Sequence, residues 1–195
     1  MNSEQGRAPG LAGDWPADTA TVVDETRRWL ERAVIGLNLC PFAKAVHVKD
    51  QLRYVVSTAT EPGQLQADLE RELRLLAESD PAQVEMTLLM HPQVLQDFID
   101  YNDFLDVADA TVEQLDLGGI LQIASFHPQY QFAGTEPDDI DNFTNRSPYP
   151  TLHLLRESSI DQAVAAFPEA SEIYERNIET LRRLGRPGWA KLFKG

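Results

Sequence analysis

Apolar positions recur along the chain at two alternating periods, and their alternation predicts the fold. Val23, Leu30, Val34 and Leu37 fall at helical spacing and predict a first helix, interrupted by Pro41, which lacks a backbone N–H. LRYVVST, 52 to 58, alternates in the period of a strand. Leu65, Leu69, Leu73 and Leu76 line one face of a second helix, with Thr60 as its cap and the SDP turn at 79 to 81 as its stop. VEMTLLM, 84 to 90, is a second strand. Val94, Phe98, Tyr101, Leu105, Ala108, Val112 and Leu115 then sustain a helical stripe until Gly118 and Gly119 end it. ILQIASF, 120 to 126, is a third strand whose near-continuous apolar character predicts burial on both faces. TLHLLR, 151 to 156, is a fourth, followed by helices over about 159 to 167 and 170 to 184. The expectation is one α/β domain: about four strands in a mostly parallel or mixed sheet with helices packed on it, a ferredoxin-like α+β arrangement being the alternative.

Length agrees, since 195 residues suffice for one well-buried core and are short for two. Residues 1 to 17, rich in Gly, Pro and Ala, are expected to form a flexible arm; 18 to 185 the domain; and 186 to 195 a basic C-terminal tail. Seventeen Lys and Arg against 31 Asp and Glu give a net charge of -14, which disfavours nucleic acid and anionic membrane as partners. No run of about 18 apolar residues is present, and the first residues lack the apolar stretch of a signal peptide, so a cytoplasmic protein is expected.

Candidate chemistry gathers where strands end. Two apolar runs close in His-Pro-Gln, at His91 and His127, and Pro both ends a sheet ladder and biases the preceding residue to extended geometry. Each His should therefore terminate its strand, and parallel strands would place both on the carboxyl edge where open α/β sheets bind ligands. The plain alternative is a strand terminator with a solvated ring. The connection from His127 to Pro150 is long for a compact domain, and its aromatic content argues for function over disorder. Within it, Thr135 and Asp138 predict a short capped helix over about 136 to 143, making Asp138 and Asp139 helix-dipole partners before metal ligands. Asn145 and Arg146 supply an amide and a guanidinium suited to an oxyanion or carboxylate.

Cys40 is the only cysteine, which excludes an intramolecular disulfide. With Pro41 at a first helical position, Cys40 is expected at an N-cap, where the helix terminus and Lys44 favour thiolate; a small buried hydrophobe is the competing reading. A base would be needed, and His127, His91 and His153 are the only histidines besides His47. A divalent metal held by His91, His127, His153 and a loop aspartate is the alternative to no cofactor at all, and no phosphate-cradling glycine motif occurs.

Three segments, TRRWLERAVIGLNLCPFAKAV, LQDFIDYNDFLDVAD and SFHPQYQFAGTEPDDIDNFTNRSPYPTLHLLRE, resemble the bacterial family of domain of unknown function 1415, over about residues 20 to 185. The resemblance implies a stand-alone bacterial protein and carries over no activity and no catalytic residues. Its motifs coincide with Cys40, Pro41, Phe42, His127, Pro128, Asn145, Arg146 and His153.

The leading functional expectation is a small-molecule enzyme, a hydrolase or acyl-type transferase. Cys40 would be nucleophile or pocket wall and His127 general base or acid, with His91, Asn145, Arg146 and His153 binding an anionic substrate. A metal-dependent enzyme using His91 and His127 is the second, and a binding or regulatory module presenting the helix at 93 to 116 or the basic tail is the third. Oligomeric state stays open.

Overall fold

The computed structural model describes residues 18–166 and 172–194. The expected N-terminal arm lies outside them, as do the start of the last predicted helix and residue 195. Asp18 caps α1 (Thr19–Trp29), its carboxylate accepting from the N–H groups of Ala20 and Thr21. The helix widens into a π-helical segment, Leu30–Ile35. A turn through Cys40 then leads to the short α2 (Ala43–Val48). β1 (Leu52–Val56), α3 (Pro62–Glu78), β2 (Met86–Met90), α4 (Phe98–Gln114) and β3 (Leu121–Phe126) follow in the predicted alternation. A 3-10 helix (Ile140–Thr144) interrupts the long connection before β4 (Thr151–Arg156), α5 (Glu157–Ala166) and α6 (Ile173–Leu192).

The sheet is mixed, in the order β1-β2-β4-β3. β1 and β2 are parallel, while β4 runs antiparallel to both neighbours. β1, β2 and β3 therefore point the same way, and β4 separates β2 from β3. The run strand-helix-strand-helix-strand-strand is not the strand-helix-strand-strand-helix-strand of a ferredoxin-like fold. β3 corrects one expectation: it is an edge strand, with Leu121 buried and Gln122 exposed. The doubly buried strand is β2, whose central place leaves Thr87 to Met90 buried.

Alternation along the strands divides the core. On one face Val55, Leu89, Leu121, Leu152 and Leu154 meet the leucine stripe of α3 and Tyr101, Phe104, Ala108 and Val112 of α4. On the other, Leu52, Tyr54 and Phe126 meet Trp29, Leu30 and Val34, while Leu88 and Met90 pack with Val22 and Tyr149. At the amino edge, buried Arg156 donates through Nη2 to the carbonyls of Leu76, Ser79 and Val84, closing the end of α3 with a cation.

Two predicted caps are replaced. The residue preceding α3 is Glu61, and Thr60 instead donates its N–H and hydroxyl to Gln64 Oε1. No helix starts at Thr135, whose hydroxyl donates to Phe132 O and Asn142 Oδ1. The stripe on α4 begins at Phe98, because Asp97 caps the helix and Leu95 turns the chain before it at φ 54. The stretch read as a basic tail is packed: Gly185 bends α6 at φ 66, ψ 168, and Trp189, Leu192 and Phe193 join the cluster around Trp29.

Candidate functional site

Because β1, β2 and β3 share a direction, their carboxyl ends meet the start of β4 on one edge. Here Ser57 N donates to Met90 O, His91 N to Pro150 O and His127 N to Asn145 O, at 2.8 to 3.1 Å. Both His-Pro steps thus end their strands, as their sequence requires. The rings, however, face inward: His91 and His127 are both 0% exposed.

Tyr101 joins them. Its ring stacks on His91, with centroids 5.6 Å apart, and lies 5.0 Å from His127. Its hydroxyl donates to Thr151 O at 2.8 Å and accepts from Phe126 N–H at 3.1 Å. The partners fix opposite tautomers on the two histidines. Val94 O can only accept, so His91 carries its proton on Nδ1, 3.0 Å away. Its Nε2 is then a bare acceptor with no partner among the described residues. Gln129 N–H donates to His127 Nδ1 at 3.0 Å, so the proton of that ring sits on Nε2 and points to Leu95 O. Burial pulls both down to a pKa of about 4, and the Arg146 charge adds to the effect on His127. His127 thus uses both nitrogens to brace loops and keeps no lone pair for a substrate.

The long connection is organised by a residue that sequence reasoning passed over. Asn142, wholly buried, accepts from Phe132 N–H and the Thr135 hydroxyl and donates to Glu136 O. Asn145 Nδ2 donates to Ser125 O, tying the loop to β3. Arg146 lies over the Phe143 ring, 4.5 Å from its centroid. It donates through Nε to Tyr130 O and through Nη2 to Pro137 O, and among the described residues it meets no carboxylate. Asp138 pairs with Arg186 and Asp141 with Arg182, both arginines coming from α6, so two loop acids hold that helix. Asp139 accepts from Glu136 N–H.

Between this loop, α1 and the end of α6 lies a cavity of about 500 Å³, within the range that takes drug-sized molecules. Trp29, Phe98, Phe143, Trp189 and Phe193 supply its apolar surface. Arg28, Arg146 and Arg186 line it together with Glu25 and Asp138, the last of which is paired with Arg186. Glu25 accepts from the Tyr149 hydroxyl, whose pKa burial and that carboxylate raise. Arg28 is exposed and makes no hydrogen bond or ion pair among the described residues. Arg28, Trp29, Trp189 and Phe193 escape sequence reading because they belong to the first helical stripe and to the supposed tail.

The remaining candidates are scattered. Cys40 packs beside the Trp29, Trp189 and Phe193 cluster, behind the cavity wall. Its N-cap position is corrected: α2 begins at Ala43, after Phe42. The N–H groups of Phe42 and Ala43 favour the thiolate, but burial outweighs them and pushes the thiol up, opposite to the lowering expected. His153 lies on the sheet face of Phe126, its ring 6.0 Å from that side chain and its Nε2 3.1 Å from Met86 Sδ. Burial lowers its pKa to about 4. No group of three or more His, Cys, Asp or Glu able to hold a metal occurs among the described residues. No described helix is long and apolar enough to cross a membrane.

The family model described as "Protein of unknown function (DUF1415)" matches residues 21–191. No curated protein and no solved structure matches the chain.

Proposed function

The chain belongs to the DUF1415 family, and from its geometry we propose that it is a small-molecule protein whose cavity at the carboxyl edge of the sheet binds an organic anion. One observation carries this: Arg146, half-buried beside Phe143 and held by two backbone carbonyls, presents a guanidinium that makes no hydrogen bond or ion pair to a carboxylate among the described residues, the charge of Asp138 reaching it only at longer range. Desolvation lowers its pKa, so an anion entering beside it recovers interaction that burial has cost. Arg28 lines the same cavity as a further cation.

The hydrolase or acyl-transfer chemistry read from the sequence draws less support. An acyl transfer needs a thiolate and a base with a free lone pair, whereas the Cys40 thiol is raised by burial and both His127 nitrogens are engaged. In this reading Cys40 packs outside the cavity lining, His91 and His127 are frame, and Arg146 is the recognition group.

The test is thermal unfolding of the wild type, Arg146→Gln and Arg28→Gln against a panel of small carboxylates and inorganic phosphate. A ligand at 100 times its Kd stabilises by about 2.7 kcal/mol, a shift of several degrees for a domain of this size. The expectation is stabilisation of the wild type by at least one anion, reduced in Arg28→Gln and lost in Arg146→Gln. A panel without effect, or equal stabilisation of all three proteins, would overturn the proposal.

A further inference from the structure

Resting on the anion-binding reading, we infer that the preferred ligand is a flat aromatic monocarboxylate. Charge sets the valence. Three guanidinium groups and two carboxylates line the cavity, Arg186 and Asp138 among them already paired, so one positive charge is in surplus within a chain of net charge -14. A monoanion balances that surplus, while a dianion would be repelled by Glu25 and Asp138. With Nε–H and one Nη2–H of Arg146 held by carbonyls, the Nη1 protons and the second Nη2 proton remain to meet a carboxylate with two N–H···O bonds.

The walls set the body of the ligand. Trp189 meets Phe143 edge-on, with centroids 5.2 Å apart at 80°, and meets Phe193 at 5.7 Å and 62°. The three rings form a continuous aromatic wall that ends at the Arg146 guanidinium over Phe143. Trp29 and Phe98 contribute further ring surface to the lining. Such surfaces favour an aromatic ring over a saturated one of the same area, because edge and face carry opposite partial charge. An acid attached to a ring fits both halves of this lining: carboxylate towards Arg146, ring along the wall.

Calorimetric titration of the full chain with phenylacetate, cyclohexylacetate and inorganic phosphate separates the claims. The expected result is phenylacetate binding about five-fold more tightly than cyclohexylacetate, with phosphate weaker than both. Trp189→Leu should bring the ratio of the two acids towards one while leaving cyclohexylacetate bound, and Arg28→Gln should weaken both acids alike. Should Trp189→Leu fail to fold, Phe193→Leu makes the same comparison. Equal affinity for the two acids overturns the aromatic inference and leaves the anion site standing. Phosphate binding more tightly than either acid overturns the carboxylate assignment. If neither acid nor phosphate binds, the anion-binding reading falls with it.

Discussion

The buried pair His91 and His127 should make the fold sensitive to mild acid, with a magnitude that follows from its geometry. Each ring has a pKa of about 4 in the folded chain against an ordinary 6.5, with burial as the main cause. The unfolded chain therefore binds protons first as pH falls, and stability present above pH 6.5 is lost progressively towards pH 4. With about 1.4 kcal/mol for each pH unit between the two values, each ring withdraws about 2 kcal/mol by pH 5, and the two together about 4 kcal/mol. That is a large share of the ~5 to 15 kcal/mol that a domain possesses. Urea unfolding from pH 7.5 to 5 of the wild type and His91→Phe provides the assay. The variant keeps a ring against Tyr101 but cannot titrate, so its loss over that range should be smaller by about 2 kcal/mol, whatever its stability at pH 7.5. Long-range proton-nitrogen NMR correlations should show His91 protonated on Nδ1 and His127 on Nε2 down to pH 5. Parallel pH profiles for the two proteins, or rings titrating near 6.5, would refute the reasoning.

Three further outcomes are expected. Tyr101→Phe removes a hydroxyl that bonds both Thr151 O and Phe126 N–H, taking one partner from each backbone group, and should cost about 2 to 3 kcal/mol in denaturant unfolding. Gly185→Ala places a Cβ at φ 66, ψ 168, a region almost confined to glycine, and should lower stability by about 1 to 3 kcal/mol in the same assay. Alkylation of Cys40 in the folded chain should be slow near pH 8 and accelerate on unfolding, since burial raises the thiol; rapid labelling with a pKa below 8.5 would restore the thiolate reading.

The sequence revealed what periodicity encodes. The leucine stripe of α3 and the long stripe of α4 landed on the sheet face their spacing demanded. His-Pro fixed where β2 and β3 end, because proline acts on its own neighbour. Pairing order was not legible: β3 reads as an interior strand, yet Gln122 is exposed because β4 inserts between β2 and β3. Arg146 was identified from its chemical type, but its role beside Phe143 depends on contacts across the loop. Arg28, Trp29 and Trp189 belong to segments whose local patterns say only "helix" or "tail", and their convergence depends on the bend at Gly185. The inward rotation of His91 and His127 was equally hidden, since a strand terminator leaves ring direction open.

The insertion of β4 bears on the order in which the molecule is made. β2 and β3 point the same way yet never pair, so their facing edges stay open until residues 151 to 156 arrive between them. The chain from 127 to 150 must be turned back before that strand can dock. Docking brings Pro150 O to His91 N and Thr151 O to the Tyr101 hydroxyl in the same event. Closure of the sheet and positioning of the loop beneath Arg146 are thus one cooperative step with a high loop-closure cost. Hydrogen exchange should accordingly find the amides of His91, Phe126 and His127 opening together with the central strands, as a single unit.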